Sequence, residues 1–425
     1  MHGVGRAGRA ALVSVARITA VMCVAQLLGM LSNASFPALI PTFVDVWDLS
    51  GATAGWVAGM YYAGYVAAVP LLVAYTDRLD ARAIYLTSQL LGLVAAAGFA
   101  LFAAGPWSAS ALRFFDGIAL AGTYMVGARM LSDRAPGSSR ALAFYTATFS
   151  FATAVSVFAA GEISTIAGWP SAFWLGAVGH GLAAVLVLVS LRPRPPAHAP
   201  RAHPRDVLDP RPVLRNAPAM AYILSYAAHI WEMFGFRTWL VAFLGFAFVR
   251  AGAQADAPSF AGLTPTQIAT VLLLLGMPAS ILGNEAAVRF GRRRVLKGVM
   301  ASSGLLACAL GVFALGPVWL LLAACALYGV LMMADSAALT AGTVAAAASD
   351  RRGATMALHS LLGFGAGVVG PAVSGVALDI AGGPDRPVAW GAAFVVLGLG
   401  GLLGPVILSR LGRQGDPADP SRSAM

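Results

Sequence analysis

Twelve apolar runs, each about 20 residues or longer, follow one another along the chain. Six lie near residues 18–43, 52–75, 83–104, 107–131, 141–165 and 170–191, and six more near 219–248, 265–287, 295–315, 318–344, 354–380 and 388–409. A run that is apolar all round must be helical in lipid, where no open backbone survives. Twelve membrane-spanning helices are therefore predicted. Only one long polar segment breaks the pattern. Between Leu191 and Pro218 stand eight prolines, which forbid a regular helix and leave an extended connector. The expected organisation is a bundle over 1–191, a linker over 192–218, a second bundle over 219–410 and a tail over 411–425.

Composition and charge narrow the function. Apolar residues make up 59% of the chain and charged ones 11%, against roughly 45–50% and 25% in soluble domains. In a soluble protein a formal charge of +10 would suggest nucleic acid. Here the arginines sit in short clusters between apolar runs, which points to lipid headgroups and topology, with no nucleic-acid partner. With the amino terminus inside, one face of the membrane collects 23 of the 28 basic residues. The excess of positive charge on inner loops thus places both termini and the linker in the cytoplasm. The apolar stretch after Arg17 is too long for a secretory signal and reads as the first span. The only lysine, Lys297, follows Leu296, so the Gly-Lys pair of a phosphate-binding loop is absent. Cys23, Cys308 and Cys325 lie inside apolar runs without paired spacing, which suggests neither disulfides nor a zinc site. No catalytic constellation stands out, and no cofactor, metal or enzymatic activity is expected.

The two sets of six runs repeat one another. Asp77-Arg78-Leu79-Asp80-Ala81-Arg82 matches Val288-Arg289-Phe290-Gly291-Arg292-Arg293 at an offset of 211. Leu49-Ser50 and Leu263-Thr264, each a helix-cap signal, are 214 apart, and Arg140 and Arg352 are 212 apart. Trp169-Pro-Ser-Ala-Phe173 and Trp390-Gly-Ala-Ala-Phe394 open the sixth and twelfth runs, 221 apart. Four matches in one order imply two homologous six-helix halves in the same orientation.

On these residues the chain resembles the major facilitator superfamily of secondary transporters over essentially its whole length. In the loop after the second run, Asp77, Arg78 and Arg82 match the family's signature, while Val73 and Asp80 replace glycines and Ala81 replaces a basic residue. In the second half Arg289, Gly291, Arg292 and Arg293 match, with Asn284 and Val288 in place of glycine and aspartate. The resemblance implies that these are cytoplasmic gating loops; Asp77 either pairs with helix ends or stands as a solvated topology charge. Arg113-Phe-Phe-Asp116-Gly117 in the fourth run resembles the family's motif for the central cavity and proton coupling. Arginine and aspartate at i and i+3 share a helix face, and Asp116 lies about 13 Å deep. The pair either serves coupling or neutralises itself and locks helices together. Gly363, Gly365, Gly367, Gly370, Pro371 and Gly375 in the eleventh run fit close helix packing around a kink.

Ionisable residues inside spans are costly and mark function by default. The seventh run carries His229, Glu232 and Arg237. His229 and Glu232 share a face, whereas Arg237 diverges from Glu232 and is expected to meet another helix. Glu232 reaches a depth of about 20 Å, where a carboxyl group can serve as a proton carrier or form a structural ion pair. Asp335 in the tenth run and Asn33 in the first, ahead of Pro37 and Pro41, are further cavity candidates. Trp56, Tyr61, Tyr62, Tyr65, Trp231 and Trp239 either stack on a substrate or pack and anchor; His180 and His359 are singletons.

The expected protein is an all-α integral membrane transporter, with twelve transmembrane helices in two pseudo-symmetric six-helix bundles. It would move a small organic solute by alternating access, with protons as the coupling partner and the lipid bilayer as its setting. A monomer in the cytoplasmic (inner) membrane of a bacterium, multi-pass, is expected. Drug or metabolite efflux is the alternative within transport, and a non-transporting sensor or scaffold the rival from another class.

Overall fold

The computed structural model describes residues 3–76, 78–194, 210–255, 258–349 and 351–411. Apart from one isolated bridge between Phe260 and Leu263, the regular elements described are all helices. Ten helical stretches among the described residues are long and apolar enough to cross a membrane. The two remaining predicted runs are helical as well. Gly3–Gly29 includes the apolar stretch Val15–Gly29, and Pro106–Arg134 has its apolar character diluted by Arg113 and Asp116.

Three of the predicted runs are broken, which hydropathy did not reveal. The first ends as a helix at Gly29, turns through 30–34, and resumes as Ser35–Ala38 and Ile40–Trp47. Pro37 has no N–H to offer the carbonyl of Asn33, and Pro41 starves the next turn in the same way. The eighth run divides into Pro265–Leu274 and Gly276–Phe290, where Pro278 leaves the Leu274 carbonyl without its helical donor. The tenth divides at Asp335 into Val318–Ala334 and Ser336–Ala346. Within the predicted linker only 192–194 and 210–218 are described. There one helical turn, Arg211–Leu214, replaces the expected extended chain, with its prolines at the start of the turn, where a missing N–H costs nothing.

The chain falls into two compact units. The first comprises Met1–Phe36, Gly64–Ala104 and Ala111–Pro200. Its core is built from Met22, Tyr85, Val126, Met130, Tyr145 and Val187. At Gly64 the carbonyl of Phe114 comes so close that any side chain would collide with it. The second unit comprises Pro37–Ala63, Gly105–Ser110 and Arg201–Met425. Around the long helix Ala217–Arg250 it buries Tyr222, Leu296, Met300, Leu339 and Leu408. The glycines of Arg352–Ile380 let the neighbouring helix in: Gly363 meets the Tyr226 ring, Gly367 the Phe234 ring and Gly370 the Trp231 backbone.

Helix ends follow the cap signals of the sequence. Ser50 accepts from the Thr53 amide at 3.2 Å, and Thr264 forms a capping box with Gln267. The N-terminus of Gly51–Tyr75 carries a second anchor. Both carboxylate oxygens of Asp379 are seated on it, 2.7 Å from the Gly51 amide and 2.8 Å from that of Ala52, where a negative charge complements the helix dipole.

Candidate functional site

In the first unit the buried charges are fully engaged with one another and with the broken first span. Arg113, 2% exposed, lies 3.1 Å from the Asp116 carboxylate. The same guanidinium donates to the carbonyls of Ser32 at 3.2 Å and Asn33 at 2.8 Å. The Asn33 carbonyl is the acceptor that Pro37 leaves without a helical partner. Arg113 thus supplies the donor that Pro37 removes, and charge-assisted bonds of this kind are the strong ones. On the far side of Asp116 lies His180 Nε2 at 3.6 Å, and His180 Nδ1 meets Gln89 Oε1 at 2.6 Å. Asn33 donates its amide to Thr153 at 3.0 Å, and Ser156 bridges the Leu31 carbonyl and the Ala34 amide.

The second unit gathers a different set around Ala217–Arg250. His229 Nδ1 lies 2.7 Å from Asp335 Oδ1, and both residues are buried. The break in the tenth run therefore delivers a carboxylate to a histidine of the seventh. Glu232, 1% exposed, accepts from Ser303 at 3.1 Å. Its carboxylate presses against Gly401, where a Cβ would collide with it. Among the described residues no cation lies within ion-pair distance of Glu232; Asp335 and the Tyr328 hydroxyl are its electrostatic neighbours. Arg237 is 9% exposed and has no carboxylate partner among the described residues; its one polar contact is Met333 Sδ at 3.6 Å. Tyr62 and Tyr226 are its electrostatic neighbours. Tyr62 stacks on Phe234 with ring centroids 3.9 Å apart, and Phe364 closes on Phe234 edge-on at 5.6 Å.

Not every sequence candidate enters these clusters. Trp231 and Trp239 donate their indole N–H groups to the Val396 carbonyl and to Ser374, respectively, so both act in packing, and Trp56 is largely exposed. Of the loop residues, Asp77 lies outside the described residues and Arg78 is exposed. Arg82 donates to the Leu188 carbonyl at 2.8 Å. Arg289 sits 5.6 Å above the Phe290 ring. Gly291, at φ +92°, makes the sharp turn between Gly276–Phe290 and Arg292–Phe313, and Arg292 and Arg293 are half-buried behind it. Asp80, which replaces a signature glycine, caps Ala81–Phe102 through the Arg82 amide at 2.9 Å.

Four polar residues that matter were not singled out as functional from the sequence. His180 and His359 each stand alone in an apolar run, and Ser303 and Asp379 belong to no motif. His359 bonds to Thr343 at 3.1 Å and stacks on Tyr226 at 3.8 Å. Tyr226 in turn lies 5.8 Å from His229. A row of polar and titratable groups thus runs from Thr343 through His359 and Tyr226 to His229 and Asp335. The available signal was helical spacing, since Tyr226 and His229 are i and i+3.

Comparison with known proteins agrees with this architecture. The family model described as Major Facilitator Superfamily matches residues 22–270. A crystal structure of a mutant of the nucleoside transporter NupG superposes with a TM-score of 0.73 at 15% identity, covering 93% of this chain and 99% of that one. A bacterial homologue of the human lysosomal transporter Spinster, inward-facing and unoccupied, superposes with a TM-score of 0.71 at 15% identity, covering 94% and 95%. Identity this low shows a shared fold and nothing finer. No curated protein matches the sequence.

Proposed function

Because the chain belongs to the major facilitator superfamily, a multi-pass family of secondary transporters, we propose that it carries a small organic anion across the membrane by alternating access, coupled to protons. The observation that carries this reading is the contrast around Ala217–Arg250: a buried Glu232 with only neutral hydrogen-bond donors, and a buried Arg237 without a carboxylate. A carboxyl group held by neutral donors can be protonated without abandoning a cation, which suits a proton carrier. A guanidinium held by a thioether keeps its forked donors for a carboxylate that arrives from outside the protein. Tyr62, Phe234 and Phe364 supply apolar surface beside it for the body of the solute. His229 of the same helix pairs with Asp335 at the break of the tenth run, while Arg113 and Asp116 serve to hold the broken first span.

The proposal extends to the remaining architecture. The bundles are 1–191 and 219–410, joined by 192–218 and followed by the tail 411–425, with both termini and the basic loops, including Asp77, Arg78, Arg82, Arg289 and Arg292, in the cytoplasm of a bacterial cell. The monomer is the transporting unit, and no enzymatic step is involved.

Proteoliposomes test the proposal. A panel of small carboxylates screened for thermal stabilisation identifies the solute, and an imposed pH gradient should then drive its flux. Glu232→Gln should leave binding intact and abolish the response to the gradient, Arg237→Met should abolish binding, and Asp116→Asn should retain coupling. Wild-type flux indifferent to the gradient would sink the coupling claim, and unchanged binding in Arg237→Met the anion claim.

A further inference from the structure

A cavity of about 430 Å³ lies in the first unit, remote in sequence from the groups just described. It is lined by Arg17, Ile18 and Val21 of Gly3–Gly29, by Arg134 at the end of Pro106–Arg134, and by residues 190–194, where the chain leaves Pro170–Ser190. Four arginines line it, and among the described residues no acidic residue does. Asp80 and Asp133 are electrostatic neighbours of Arg134, and their carboxylate oxygens are already engaged by hydrogen bonds. Asp133 holds Arg129 through both oxygens at 3.1 and 3.2 Å, and Asp80 accepts the Arg82 and Arg194 amides at 2.9 and 3.1 Å.

The guanidinium hydrogen bonds of Arg134 and Arg194 go to backbone carbonyls. Arg134 donates to the carbonyls of Met130 and Arg192 at 3.4 and 3.0 Å, and Arg194 to the carbonyl of Asp133. The side chains of Arg17 and Arg192 have no hydrogen-bond or ion-pair partner among the described residues. Four like charges around one cavity repel each other, and an anion with several acceptor oxygens relieves that repulsion while using the free donors. The wall is amphipathic: Leu191 is buried, and Ile18 and Val21 are half-buried. Positive groups over an apolar floor suit a phosphate joined to an apolar body, and basic pockets at the ends of membrane helices take phosphorylated headgroups.

We propose that this cavity binds a phosphate anion, carried by the headgroup of an anionic phospholipid. A lone phosphate would leave most of the volume and all of the apolar floor unused, so the lipid is the better source. The test uses the purified full-length protein in neutral detergent, with thermal stability and native mass spectrometry as readouts. One arm adds phosphatidylglycerol or phosphatidylcholine in mixed micelles, and the other adds inorganic phosphate.

Phosphatidylglycerol should bind and stabilise, phosphatidylcholine should not, and Arg17→Gln/Arg192→Gln should weaken that binding at least tenfold. Because neither side chain has a polar partner in the unit, the double variant should keep the wild-type melting temperature without lipid. The control variant Arg352→Gln/Arg410→Gln, on exposed arginines of the second unit, should bind as the wild type does. Stabilisation by inorganic phosphate alone would overturn the lipid source. The site itself would be overturned if neither anion bound, or if the control variant weakened binding as much as the cavity variant.

Discussion

Replacing Arg113 by methionine removes a guanidinium that serves three acceptors at once: the Asp116 carboxylate and the carbonyls of Ser32 and Asn33. Breaking a buried ion pair by deleting one partner costs about 3–5 kcal/mol, and the orphaned Asn33 carbonyl adds roughly 1–3 kcal/mol, while the Ser32 carbonyl keeps the Ser35 amide at 3.2 Å. These contributions overlap. A net loss of about 4–6 kcal/mol is therefore expected for Arg113→Met, between the pair alone and the full sum. At roughly 2–4 °C per kcal/mol for a unit of this size, the melting temperature in detergent should fall by roughly 10–20 °C. The second substitution discriminates between two roles. Arg113→Met/Asp116→Asn no longer strands a charge but still strands the Asn33 carbonyl, so it should recover more than half of the loss. If the double variant melts with the wild type, the guanidinium does not support the break at 30–34, and the pair only neutralises itself.

Three further predictions concern the second unit and the helix it anchors. Gly401→Ala puts a methyl group against the Glu232 carboxylate and should destabilise by about 1–3 kcal/mol; Glu232→Ala in the same chain should restore the melting temperature, and failure to do so would refute the contact. Asp379→Asn removes a charged acceptor from the Gly51 and Ala52 amides. It should cost about 1–2 kcal/mol, seen as faster amide hydrogen exchange at residues 51–54, and unchanged exchange there would contradict the anchor. Gly291→Ala forces an L side chain to φ +92° and should lower stability by about 1–3 kcal/mol, whereas Gly353→Ala, at an open helical position, should be neutral or slightly stabilising in the same melting assay.

Much of the fold was legible because lipid imposes one rule on every span. Twelve runs gave twelve helical positions, and Ser50 and Thr264 announced their caps by residue type. The breaks were harder to read, since hydropathy averages over a run and is blind to one missing hydrogen bond. Pro37 and Pro278 announced two of them only once the residue four earlier was asked where its carbonyl goes. Asp335 gave no such signal. Its pairing with His229 joins residues 106 apart in sequence, which no helical spacing encodes. Glu232, Arg237 and Arg113 were visible as charges in apolar runs. Their different fates were not visible, because whether a buried charge is satisfied depends on neighbours such as Ser303, Met333 and the Ser32 carbonyl, which only the fold assembles.

The seat of Asp379 on the Gly51–Tyr75 N-terminus has a consequence for how easily that end can come apart. The carboxylate and the Gly51 and Ala52 amides are only part-buried. Water can therefore take the place of each partner as the other withdraws, donating to the carboxylate and accepting from the amides, so that no polar group is stranded at any stage. The contact is short and well directed, yet its rupture resembles solvent exchange more than the tearing of a core. A fastening of this kind fixes which helix end lies against which carboxylate while adding little to the barrier for release.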